Sequence, residues 1–121
     1  MFRSKYRSHK TVYNGRRYDS KAESIVSNQL QLEQRAGEIS GLEFQVQVEL
    51  TDAKIIYKPD FKYVRKSVVT YGECKGFETA EWRIKRKLWQ YYGPGPLEVY
   101  NVVNGRVILK EIINPKIVKN T

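Results

Sequence analysis

Between residues 42 and 50 apolar and polar side chains alternate without a break. Leu42, Phe44, Val46, Val48 and Leu50 are set against Glu43, Gln45, Gln47 and Glu49. A period of two predicts one strand with a buried and a wet face. Thr51-Asp52-Ala53-Lys54 then turns the chain into Ile55-Ile56-Tyr57, with Asp52 read as a turn residue rather than a ligand. Two short apolar runs, 61–64 and 68–71, flank the polar break Arg65-Lys66-Ser67 and predict adjacent antiparallel strands. Upstream, residues 21–35 read as a helix that Asp19 or Ser20 can cap and Gly37 can end, with Val26 and Leu30 on its inward stripe. A second helix is expected over 79–91, its core-facing stripe being Ala80, Ile84 and Leu88. Trp82 and Trp89 read as core rather than as base-stacking groups. Gly93-Pro94-Gly95-Pro96 forces a loop, after which 97–103 and 106–113 form a hairpin closed by Asn104-Gly105. The fold these elements predict is α/β: a central mixed β-sheet flanked by two helices.

Ionisable groups interrupt the most apolar part of that pattern. Asp60 stands at the start of the 61–64 strand, and Glu73 and Lys75 at the end of the strand that follows. If the two strands fold back on each other, that start and that end lie side by side. Glu73 and Lys75, two apart, point the same way, and Cys74 points the other. Hard divalent cations such as Mg2+ take carboxylate oxygens together with water and substrate phosphate. Such an ion polarises a phosphoryl oxygen and activates water, and a neighbouring lysine can orient that water or neutralise developing charge. Asp60, Glu73 and Lys75 are the minimum set for metal-assisted phosphodiester hydrolysis. The competing reading of Glu73 and Lys75 alone is a surface ion pair of little worth. Glu23 falls on the stripe of Val26 and Leu30, where it could reach such a metal, but Ser20-x-x-Glu23 is equally a capping box.

Pro59-Asp60 followed by Glu73-Cys74-Lys75 resembles the motif of the PD-(D/E)XK nuclease superfamily. A closer resemblance, to small phage-encoded members of that superfamily, covers most of the chain. It rests on Val12-Tyr13-Asn14-Gly15, the run from Tyr18 to Glu23, the run from Tyr57 to Phe61, Glu73-Cys74-Lys75-Gly76, and Lys85-Arg86-Lys87-Leu88-Trp89. The resemblance implies a restriction-endonuclease-like core: a helix, a three-stranded meander, a second helix and a further strand, with the site on one edge of the sheet. It implies Asp60 and Glu73 as metal ligands, the Cys74 main-chain carbonyl as a third and Glu23 as an auxiliary one, with Lys75 acting on the attacking water. The metal would be Mg2+, with Mn2+ as a substitute. The implied activity is cleavage of branched or recombination DNA, like that of Holliday junction resolvases.

Charge points the same way. The 121 residues carry 22 Lys and Arg against 13 Asp and Glu, a net +9, which is the balance of a protein that meets a polyanion. Seven basic side chains (Arg3, Lys5, Arg7, Lys10, Arg16, Arg17 and Lys21) precede residue 22 against one acid, Asp19, and Tyr6, Tyr13 and Tyr18 are interleaved with them. Such residues can neutralise phosphates and stack on exposed bases, although a merely solubilising tail has the same composition. Residues 1–18 are read as a basic arm and hairpin and 19–121 as a single domain. Arg83, Lys85, Arg86 and Lys87 on the second helix are the other expected backbone contacts. One cysteine excludes an intrachain disulfide, the single His9 leaves no histidine triad, and no apolar run approaches the ~20 residues of a membrane span. A cytoplasmic protein is expected (the host cytoplasm if phage-encoded), with DNA as partner, no membrane, and a homodimer if it cuts junctions symmetrically. Two other readings stay open: a non-catalytic DNA-binding module on the same fold, and a protein directed at RNA.

Overall fold

The computed structural model describes residues 11–13, 16–18 and 20–116. Two short strands, β1 (Thr11–Tyr13) and β2 (Arg16–Tyr18), pair antiparallel ahead of helix α1 (Ser20–Arg35). Val26 and Leu30 of α1 are completely buried, as their spacing predicts. The helix ends where Gly37 turns to φ +83° and the Glu38 and Gly37 amides bond back to Glu33 and Gln34 carbonyls.

Five strands make the main sheet, in the order β3 (Ile39–Phe44), β6 (Phe61–Arg65), β7 (Val68–Cys74), β8 (Leu97–Val103), β9 (Arg106–Ile113). The first three form an antiparallel meander. Helix α2 (Ala80–Tyr92) carries the chain over to β8, which lies parallel to β7, and β9 returns antiparallel. The sheet is therefore mixed. Asn104 (φ 52°) and Gly105 (φ 76°) make the left-handed turn that the Asn-Gly signal predicts.

Alternation along the strands divides the core in two. On one face α1 buries Val26 and Leu30 with Ile39, Phe61, Tyr63 and Tyr100. On the other, Trp82 and Trp89 of α2 pack with Tyr57, Tyr71, Leu97, Val99 and Ile113.

Two expectations fail. The single strand over 42–50 is broken: β3 ends at Phe44, Gln45 adopts φ 56°, and only Val48–Glu49 (β4) resumes, pairing with Ile56–Tyr57 (β5) as a separate ladder. The break has a bonding cause, because the Gln45 amide donates to the Asp60 carbonyl (2.9 Å) at the point where the chain leaves the sheet. Phe44, expected inside, is 48% exposed. The stripe of α2 is also displaced. Ile84 is 61% exposed, and Ala80 is exposed too, whereas Trp82 and Trp89, seven apart, are buried. Two indoles bury more apolar area than Ala and Ile, so they decide which way the helix faces. Thr79 caps α2 by accepting the Trp82 amide. At its other end a side chain on Gly93 would run into the Trp89 ring at 2.6 Å.

No helix among the described residues is long and apolar enough to cross a membrane.

Candidate active site

Register brings the motif together. Phe61 pairs with Gly72, so the next rung sets Asp60 beside Glu73 at the end of β6 and β7. Because β7 is the middle strand of five, the site lies at the end of the central strands, not on an edge of the sheet as expected. A parallel β7–β8 pair opens here as well, the Lys75 amide bonding to the Tyr100 carbonyl (2.8 Å).

Asp60 and Glu73 are each 1% exposed. Asp60 Oδ2 accepts the Cys74 amide at 2.9 Å, which ties the start of β6 to the end of β7. Glu73 Oε1 accepts the Tyr57 hydroxyl at 2.7 Å, and Glu73 Oε2 faces Lys75 Nζ at 3.6 Å. That ammonium also lies 5.3 Å from the centre of the Trp82 ring. Cys74 points to the opposite face and packs against the α1 core, as alternation requires.

The Cys74 thiol reports the field at this end of the sheet. Burial, then Asp60, Glu73 and Glu23, push it up to about 12, against a lowering by Lys75. Three carboxylates thus bear on one residue. Glu23 reaches the site end through Gln45, whose Nε2 donates to Glu23 Oε2 at 3.2 Å. A left-handed glutamine is strained, and its amide bond to Asp60 and side-chain bond to Glu23 hold it there.

Among the described residues no group of three or more His, Cys, Asp or Glu side chains stands close enough to form a metal cage by itself. Mg2+ does not need one: it binds through one or two carboxylates and keeps water and phosphate as its other ligands. Two hard oxygen donors, Asp60 and Glu73, buried side by side at the end of β6 and β7, fit such an ion. They would bind it with the Cys74 carbonyl, and Glu23 would join through Gln45's side of the site.

Among the described residues the basic side chains of α2 face different neighbours. Arg3, Lys5, Arg7 and Lys10 lie outside the described residues. Arg16 and Arg17 sit on β2, and Lys21 is exposed in the first turn of α1. On α2, Lys85 donates to the Ile56 carbonyl (2.9 Å) on the site side of the helix. Arg86 grips Glu111 of β9 with two bonds of 3.0 and 2.6 Å. Arg83 and Lys87 line an open groove of about 730 Å³ between α2 and β9, together with Ile84, Gln90 and Lys110. The four basic residues of α2 are therefore divided between two sides of the helix.

Tyr57 and Trp82 are the contacts that pattern reading passed over. Each is an aromatic residue on a buried position, which spacing cannot distinguish from ordinary core. Gln45 gave no signal of its own, because it is one of several polar positions inside the unbroken alternation of 42–50.

A search of curated proteins and a search of solved structures return no match to this chain. One family model does match, over residues 3–113, and it spans the β1–β2 ladder, both helices and the whole sheet. The chain belongs to the family described as Protein of unknown function (DUF1064).

Proposed function

We propose that this protein is a metal-dependent endonuclease that hydrolyses phosphodiester bonds in DNA, on branched or recombination intermediates. One observation carries the reading: the β6–β7 pairing sets two buried carboxylates side by side with a lysine on the same face as one of them. Burying like charges together is costly unless a cation or a substrate makes use of them. Mg2+ bound there would supply charge on the scissile phosphate and a more acidic water. The chain's own contribution is positional. Asp60 is fixed by the Cys74 amide, Glu73 by the Tyr57 hydroxyl, and Lys75 lies against Glu73 and Trp82, within reach of a water or a phosphoryl oxygen. Lys85 on the site side, and Arg83 and Lys87 in the α2–β9 groove, would take the phosphates of the flanking strand. Symmetric cutting of a junction needs two such sites, hence a homodimer. Its candidate interface is β9, an edge strand with Ile108, Leu109 and Ile112 nearly half exposed.

A second reading, a DNA-binding module whose site is idle, is favoured by the 1% exposure of Asp60 and Glu73. Cleavage separates the two. Labelled four-way junction, flap, linear duplex and single-stranded DNA are incubated with Mg2+ or EDTA, using wild type and Asp60→Ala. Mg2+-dependent, paired nicks in the junction that vanish in the variant are expected. Tight binding without cutting in any metal would establish the module, and stronger competition by RNA than by DNA would move the substrate to RNA.

A further inference from the structure

We infer that Tyr57 is a positioning residue for Glu73, an inference that rests on the nuclease reading above and adds a residue to Asp60, Glu73, Lys75 and Glu23. The carboxylate of a glutamate turns broadly about its last torsion, so burial alone does not decide which oxygen faces a ligand. Here the choice is made by a phenol. The Tyr57 hydroxyl takes Oε1 at 2.7 Å, which leaves Oε2 turned to Lys75. Tyr57 is itself immobilised. It is 7% exposed, its backbone pairs with Val48, and its ring meets Trp89 edge-on at 5.7 Å and Trp82 at 6.3 Å. The Trp82 ring that supports Tyr57 also carries the Lys75 ammonium at 5.3 Å. One aromatic cluster therefore sets both the acid and the base of the motif. Outer partners of this kind orient metal-binding carboxylates, and losing one lowers metal affinity or activity by roughly 10–100-fold.

The β4–β5 ladder gains a purpose from this. It holds Tyr57 against α2, apart from the main sheet, so the broken strand at Gln45 places a donor over Glu73.

The test compares two tyrosines of the same cluster. Tyr71 packs edge-on to Trp89 at 5.1 Å, like Tyr57, and burial, then Glu43, raises its hydroxyl above the ordinary tyrosine value. Wild type, Tyr57→Phe and Tyr71→Phe, each as the full chain, are titrated with Mg2+ and with Mn2+ by calorimetry in the absence of nucleic acid. Cleavage is then followed against Mg2+ concentration. The expected result is a drop in metal affinity of about tenfold for Tyr57→Phe. Its cleavage rate should recover most of the wild-type value at saturating Mg2+, and Tyr71→Phe should bind metal as wild type does. Unchanged affinity in Tyr57→Phe would overturn the positioning role and leave the nuclease reading intact. Equal losses in both variants would overturn it too, since they would report a loosened core. A wild type that binds neither metal would overturn the nuclease reading and this inference with it.

Discussion

Two glutamates are buried on adjacent parallel strands, and they have opposite surroundings. Glu98 of β8 is 6% exposed on the α1 face, and Glu73 of β7 is 1% exposed on the α2 face. Glu98 Oε1 accepts the hydroxyls of Tyr63 and Tyr100 at 2.7 and 2.6 Å. Arg65 Nε stands 3.2 Å from Oε2, and Arg65 continues to Glu33 at 2.7 Å. Burial, first of all, raises both phenols well above the ordinary tyrosine range, so both keep their protons and donate them to Glu98. Glu98 is a charge the fold has satisfied with a guanidinium and two phenols. Glu73 meets the Tyr57 phenol and an ammonium at 3.6 Å, in a region where Asp60 and Glu23 add charge of its own sign. The depth of a carboxylate does not mark a site; the sign of what surrounds it does.

Replacing each acid in turn tests this contrast hardest. Glu73→Gln keeps the shape and removes the charge, and Lys75→Ala removes the ammonium. Each should lower cleavage by roughly 10²–10⁴-fold. Glu73→Gln should leave stability within about 1 kcal/mol of wild type, because it also relieves like-charge repulsion. Glu98 should behave in the opposite way. Glu98→Leu takes the acceptor from two phenols and leaves Arg65 with Glu33 alone, and should cost about 3 kcal/mol in urea melts, the lower end for a broken buried pair because Arg65 keeps 23% exposure and its bond to Glu33. Activity per folded molecule should survive. A Glu98 variant that folds well but no longer cuts would break the contrast.

How far the chain could be read follows from where each decision is made. The β6–β7 hairpin was legible because its turn and both apolar runs are local, and Asp60, Glu73 and Lys75 stood out as charges in an apolar stretch. The break at Gln45 was not legible. It depends on a bond to Asp60, distant in sequence, and the alternation of Leu42 to Leu50 continues through it unchanged. Helix α2 presented two stripes at helical spacing, and only the competition for buried area chose Trp82 and Trp89. Its basic run was visible, but not that Arg86 would close on Glu111 and Lys85 on Ile56. Tyr57 was hidden for a different reason: a tyrosine on an apolar strand is core in any pattern, until its hydroxyl is seen to point at Glu73.

A smaller perturbation asks whether the two faces of β7 are mechanically separate. A methyl on Gly72 would meet the Tyr63 hydroxyl at 2.9 Å and Tyr63 Cε2 at 3.2 Å. Tyr63 cannot retreat freely, since that hydroxyl is held by Glu98 and by Tyr100 at 3.0 Å. Gly72→Ala should therefore cost about 1–3 kcal/mol of stability. Gly72 is the neighbour of Glu73 on the same strand. If the faces are separate, Mg2+ affinity per folded molecule is unchanged. A fall in that affinity would mean that the Glu98 network sets the backbone on which Glu73 stands.

The smallest effect comes from a third carboxylate, which shows what a partner cation does when both groups lie near the surface. Arg86 donates to both oxygens of Glu111, at 33% and 27% side-chain exposure, and its hydrogen bond chiefly holds Glu111 below the ordinary value of 4.5. A carboxylate with a depressed folded pKa stabilises the fold at pH above its unfolded value, and that stabilisation is lost as pH falls through the folded value. At neutral pH it is fully present, and solvent screening limits it to roughly 0.2–1 kcal/mol. Glu111→Gln should therefore lower stability by about 0.5 kcal/mol at pH 7 and by nothing once the pH is well below 4.5, where wild-type Glu111 is protonated as well. Urea melts of the two proteins at both pH values check this, and a difference that persists in acid would assign the loss to packing between α2 and β9 instead of charge. The same comparison bears on the groove. With Glu111 neutral, Arg86 joins Arg83 and Lys87 as an available cation, so DNA binding should strengthen slightly and its salt dependence should steepen. Weaker binding instead would mean that Arg86, held by Glu111, braces the groove wall.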